Sequence, residues 1–390
     1  MAVVTNTKKT SATNLWTMIF AVFAVLGAVC WVLQLTRGLQ MTNLDTNNMW
    51  GLYIVGFMIF TGIAAGSLLF SAVPYLFKLE EFKPYTRIAS YLGAVASIVA
   101  ASLFIIVDIG NPERVWLFIT SGNWTSPMFW DFIMLSSYMV ISIIFTRKLI
   151  LLNEGKIEEK GVKGIAVVAF VAGILVTVTS FVFSFQVARP LWNTPAQPLS
   201  FLMAALVAAL AVLMILSHIL NKSGYVKMPI GLLAKMGKLT ALLLCIELII
   251  VITEILIGLY PGSGEDYAAF IWLVTGKGAV GFWLMMVALV TAIVLLAKQG
   301  TLPKVGLLLG GAIIALIAIY LIKSNLLQAQ LFNPLITLPG TPVYGETTGP
   351  YVPSLLEIGL SLGIVSLGAL LLNLGFGKLN LGTTANTRKL

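Results

Sequence analysis

Four carboxylates stand where an apolar chain has little reason to place them. Glu247 and Glu254 lie in one apolar run, seven residues apart and so two helical turns along a single face, about 10 Å of axis. Asp108 closes a second run in DIGNPERVW, and Asp131 follows SPMFW at the start of a third. A carboxylate in an apolar interior is costly unless it is paired, protonated or open to water, and such groups mark proton or ion routes. The chemistry open to these four is therefore proton exchange, with Glu247, Glu254 and Asp131 as the candidate path. DIGNPERVW also has a plainer reading, a helix end stopped by Gly110 and Pro112 with Trp116 in the membrane interface. An acid is the wrong charge for a helix C-terminus, so Asp108 calls for a compensating partner.

The elements that position these groups follow from composition. The 390 residues are 59% hydrophobic and 10% charged, with a mean hydropathy of +0.98, which fits an all-α polytopic membrane protein. About 20 apolar residues are needed to cross a bilayer. Ten segments qualify, at roughly 15–37, 50–77, 87–107, 127–146, 164–186, 197–220, 237–259, 279–297, 305–323 and 354–374. With ten spans both termini share one side. Most of the 24 lysines and arginines fall on that side, leaving Arg37, Arg114, Arg189, Lys277 and Lys323 for the other, so the positive-inside rule makes both termini cytoplasmic. The net charge of +9 then has a topological origin and needs no nucleic-acid partner. The lysine-led N-terminal run, without a small-x-small cleavage site, reads as an uncleaved signal anchor. Cys30 and Cys245 sit inside spans and suggest neither a disulfide framework nor a metal site.

The segments on the outer side are the elaborate ones: DIGNPERVW, ARPLWNTPAQPLSF, YPGSGEDYAAF, and a long apolar stretch over 324–353. Thr194 and Pro195 suit the cap and first turn of the sixth helix. Gly62 and Gly66 make a small-xxx-small pair for close helix packing. Lys323 and Glu357, near the outer ends of their helices, read as snorkelling or capping groups. One histidine cannot supply the paired ligands of a cytochrome b-type haem, and no CxxCH or iron-sulfur cysteine run is present, so metal centres belong to a partner.

Taken in order, MWGLYIVGFMIFTGIAAGSLLFSAV, DIGNPERVW, TSPMFWDFIML and ARPLWNTPAQPLSFLMAAL resemble the elements of the NrfD-type family, whose best-known member is the membrane subunit of polysulfide reductase. The resemblance covers roughly Trp50 to Leu220 and weakens beyond. It implies two four-helix bundles, 50–186 and 187–323, between a tail and first helix (1–49) and a long loop and last helix (324–353, 354–390). It implies a quinone-reactive anchor, usually for menaquinone, with no haem or iron-sulfur cluster in this chain. The partners it implies are a ferredoxin-like iron-sulfur subunit and a molybdopterin or multihaem catalytic subunit on the outer face. Residue by residue, it points to Trp50, Tyr53, Asp108, Trp130, Asp131, Arg189, Trp192 and Asn193 for the quinone. Glu113 and Arg114 are read as partner-docking groups or as a solvated rim. A histidine that some relatives carry near Phe57 is missing here.

A quinone head is a flat ring with two carbonyl oxygens, so its site needs aromatic walls and a few polar groups in an apolar cleft. Its two-electron chemistry moves two protons, which need an acid or a water chain to an aqueous face. Two other readings stay open from the residues alone: a secondary transporter with a midplane acidic site, and a structural anchor without a quinone site.

Overall fold

A computed structural model describes residues 7–44, 48–187, 189, 191–298, 303–331 and 351–382, and its regular structure is entirely helical. Among the described residues nine helices are long and apolar enough to cross a membrane. They are α1 (Thr7–Arg37), α2 (Leu52–Leu76), α4 (Pro127–Asn153), α5 (Lys160–Ser184), α6 (Gln197–Lys222), α7 (Ile230–Leu259), α8 (Ala279–Ala297), α9 (Val305–Leu331) and α10 (Leu355–Lys378). The predicted third span forms α3, an α-helix over Thr86–Ile98 that passes through a π-helical turn, Val99–Phe104, into a last turn, Ile105–Asp108. Those residues together reach about 35 Å, enough to span a bilayer. The chain is a multi-pass membrane protein.

α2, α3, α4 and α5 pack in sequence around one ring, and α6, α7, α8 and α9 around a second. α2 and α6 join the rings, while α1 and α10 pair along the side of α2 and α3. Between helices in lipid, close van der Waals packing and interhelical hydrogen bonds replace the hydrophobic effect. Gly66 shows the first device, because a Cβ there would fall 2.4 Å from the Ala205 carbonyl oxygen. The α1–α10 pair uses it too: a Cβ on Gly27 would come within 2.6 Å of the Gly363 Cα. The second device joins α3 to α4, where Thr146 donates to Ser90 at 3.0 Å and Ser90 donates to the Ser142 carbonyl at 3.2 Å.

Two expectations need correction. α9 does not stop at 323 but continues eight residues to Leu331, so the predicted loop over 324–353 begins as helix. Its polar residues lower the local hydropathy, yet Leu326, Leu327, Ala329 and Leu331 keep one face buried. Residues 332–350 of that predicted loop lie outside the described residues. Lys323, consequently, is not at a helix end and does not snorkel: it is 2% exposed. Glu357 does cap, completing a capping box with Ser354 at the start of α10.

Candidate functional site

α3 ends in Asp108 because Gly110 follows with φ +76, a left-handed turn that residues with a Cβ rarely adopt. The chain then folds over the ring end through a short turn, Pro112–Arg114, and a single helical turn, Leu117–Thr120, before α4 begins at Pro127. Beneath this cover lies a cavity of about 250 Å³ lined mainly by α2, α3, α4 and α5. Its walls are apolar and aromatic, with Trp50, Phe57, Phe118, Phe132 and Phe183 among them. The acids at its surface are Asp108 and Asp131. Thr179 of α5 donates to Asp131 Oδ1 at 2.6 Å. Asp108 Oδ1 is buried without a hydrogen-bond partner among the described residues, an expensive state that a polar ligand atom would relieve.

Trp50 is fixed by the crossing segment between the rings and by α5. It stacks on Trp192 at 5.5 Å with 17° between the planes, and meets Phe183 edge-on at 5.7 Å. Such pairs add about 0.5–1.5 kcal/mol beyond burial. Trp192 in turn donates to the Leu326 carbonyl at 2.7 Å, and Arg189 to the Gln330 carbonyl at 2.7 Å. Gln330 Oε1 accepts from the Leu191 backbone at 2.8 Å. The extra turns of α9 are thus the brace for the crossing segment.

Of the eight residues expected around a quinone, Trp50, Asp108 and Asp131 line the cavity. Trp192 stands directly behind Trp50. Tyr53 is fully buried and turned to α1, donating to Gln34 Oε1 at 2.8 Å. Gln34 then donates to the Val107 carbonyl at 2.6 Å, so Tyr53 and Gln34 fix the turn that carries Asp108. Trp130 is partly exposed and donates to the Trp124 carbonyl at 2.8 Å, Arg189 belongs to the brace, and Asn193 donates to the Ser184 carbonyl. Glu113 and Arg114 are exposed on the cover, next to Val115 and close to Phe118, both of which line the cavity.

The second ring holds a separate polar cluster. Glu247 is fully buried, its Oε1 accepts from Ser200 at 2.6 Å, and its Oε2 has no partner among the described residues. Glu254, nearer the cavity end of α7, hydrogen-bonds Thr194. Lys323 of α9 interacts electrostatically with both acids, and its ammonium lies 3.6 Å from the Phe201 ring centroid. A cation over an aromatic face in a desolvated site gains about 2 kcal/mol. Asp131 belongs to the cavity and not to this cluster, but Thr194 sits two residues beyond Trp192, so the crossing segment touches both. Sequence reasoning missed Thr179, Ser200, Gln34 and Gln330. Each is an ordinary small or amide side chain whose role comes from a partner on another helix, and only Lys323 carried a signal, as a lone cation inside an apolar run.

The family model for polysulphide reductase, NrfD, matches residues 40–332, well past the point where the motif resemblance weakens. A putative dimethyl sulfoxide reductase membrane subunit of Halobacterium salinarum is 27% identical over 408 residues, covering 95% of this chain and 92% of that protein. A selenate reductase subunit of Mesobacillus selenatarsenatis is 25% identical over 401 residues, covering 93% and 92%. An Hdr-like menaquinol oxidoreductase integral membrane subunit of Archaeoglobus fulgidus is 32% identical over 198 residues, covering 50% of this chain and 48% of that protein. With the family match running through both helical rings and the crossing segment between them, the chain belongs to the polysulphide reductase NrfD family.

Proposed function

We propose that the chain is the membrane subunit of an oxidoreductase complex and exchanges electrons with the quinone pool at the cavity of the first ring. The observation that carries this reading is the cavity's chemistry: an aromatic enclosure whose acids are one carboxylate held by Thr179 and one with an unpartnered buried oxygen. About 250 Å³ lies just below the ~300 Å³ lower bound for drug-sized ligands, which suits a flat head group whose tail runs outside. Relatives named as subunits of dimethyl sulfoxide, selenate and menaquinol oxidoreductases support the same assignment.

A bound quinone supplies two-electron, two-proton carrier chemistry. Trp50 and Phe183 would shape the slot for it, Asp108 Oδ1 would accept a hydrogen bond from a hydroxyl or hold its proton, and Asp131, oriented by Thr179, would do the same. Electrons pass to or from an iron-sulfur subunit docked over Glu113 and Arg114, with a molybdopterin or multihaem subunit beyond it. Glu247, Lys323 and Glu254 form a proton path in the second ring, entered through Thr194. Purification in mild detergent with whatever subunits accompany the chain, followed by quinone extraction and metal analysis, tests this. The expected result is about one quinone per chain together with iron, and loss of the quinone from Asp108→Asn and Trp50→Ala. A metal-free preparation without quinone overturns the reading.

A further inference from the structure

The opposite end of the first ring holds two cavities that the proposed function leaves unused. α4 and α10 both flank α3 there, and Ala94, Val95 and Ile98 of α3 floor a trough of about 450 Å³ between them. Ile143 and Ile150 of α4 and Leu371 of α10 wall it, so its surface is almost wholly apolar. The trough shares Ile150 and Leu379 with a second, mostly polar cavity of about 610 Å³, lined by Glu154, Lys156, Lys378 and Asn380. Arg147 lines the trough itself and is exposed. Among the described residues three cations thus line the two cavities with one acid, and that acid, Glu154, is already paired with Lys156 at 2.7 Å.

An apolar slot that opens at the membrane surface into a net-positive chamber has the form of a phospholipid. We propose that this is a binding site for one anionic glycerophospholipid, an acyl chain along the trough and the phosphate diester among Arg147, Lys156 and Lys378. Charge complementarity selects the occupant. A zwitterionic lipid brings its own ammonium into a chamber already in cationic excess, and an apolar partner helix makes no use of three cations. Basic pockets between spanning helices recognise anionic head groups on this basis. The floor is kept in place by Tyr91, whose hydroxyl donates to the Leu371 carbonyl at 2.6 Å and so ties α3 to α10.

The test uses the full chain with its co-purifying subunits, delipidated in detergent and titrated by native mass spectrometry with phosphatidylglycerol or with phosphatidylcholine of identical acyl chains. One phosphatidylglycerol is expected to bind, roughly tenfold more tightly than phosphatidylcholine. The Arg147→Gln, Lys156→Gln, Lys378→Gln variant should lose that preference. Ile143→Trp, which fills the trough and leaves every cation in place, should lose the lipid as well, and it stands alone as the test if the triple variant fails to fold. Equal affinity for the two lipids overturns the proposal. So does retention of phosphatidylglycerol by Ile143→Trp, which would reduce the effect to surface charge. A photo-crosslinker at Ile143 that captures a neighbouring protein instead of lipid overturns it equally.

Discussion

Lys323 is governed by its neighbours more than by its own chemistry. An ammonium without a hydrogen-bond partner among the described residues persists in the second ring because two carboxylates and the Phe201 face compensate it. Removing one member of a compensated buried set costs more than removing two, since the survivor keeps an unbalanced charge. Lys323→Met should therefore destabilise by roughly 3–5 kcal/mol, read as a fall in thermal unfolding temperature. Adding Glu247→Gln should restore part of it, a coupling of roughly 1–3 kcal/mol in a double-mutant cycle. Strict additivity would show that the groups do not act as a unit. Glu247→Gln and Glu254→Gln together should abolish proton-coupled turnover while leaving quinone bound, and intact proton coupling in that variant removes the path. At the cavity, Thr179→Val deprives Asp131 of its donor and should weaken quinone retention with little change in fold.

Helices were legible because each span is a long apolar run, and this needs no knowledge of partners. Where polar residues enter a span, hydropathy reads an end. α9 shows why that fails: Gln330 accepts from Leu191, and Gln328 donates to Ser324 at 3.0 Å, so these amides beyond Lys323 find partners inside the protein and the helix runs on. The π-helical turn in α3 is equally invisible, since VAASLF is unremarkable as sequence. Of the residues that line the cavity, Asp108, Asp131 and Trp50 were legible by type, while Tyr53, expected beside them on sequence grounds, faces Gln34 of α1. α10 carries a further lesson. Its capping residue Glu357 accepts from Ser354 N at 2.8 Å, from Asn43 N at 3.0 Å and from the Tyr351 hydroxyl, which itself accepts from Leu52 N at 3.1 Å. The start of α10 thus holds the start of α2, two residues from Trp50. Tyr351→Phe should cost about 1.5–3 kcal/mol, the range for a hydrogen bond to a charged group, and loosen quinone binding. Burial, and then the Glu357 carboxylate, push the Tyr351 phenol above its ordinary range. The folded state then keeps a proton that the unfolded chain loses near pH 10. This contribution is present below about pH 10 and lost as pH rises further, so the alkaline loss of stability should be shallower in Tyr351→Phe.

The whole molecule has a direction, and the proposed electron and proton traffic depends on it. α3 leaves the charged turn Glu80–Tyr85 and arrives at Asp108 beside the cavity. α7 likewise starts near Lys235, whose ammonium reaches Glu81 at 2.6 Å, and passes Glu247 before Glu254. The cavity therefore lies at the end away from the basic loops, and the two ends face different compartments. From the positive-inside rule we propose that the lysine-rich end is cytoplasmic and that the cavity and its cover face outward. That arrangement would let an external subunit exchange electrons at the cavity while the acids of α7 lead inward. Single cysteines at Glu113 and at Lys156, with Cys30 and Cys245 replaced by serine, make it testable in intact cells. A membrane-impermeant maleimide should label position 113 directly and position 156 only after permeabilisation. The reverse pattern would invert the molecule, place its docking face in the cytoplasm, and require the iron-sulfur partner to be cytoplasmic as well.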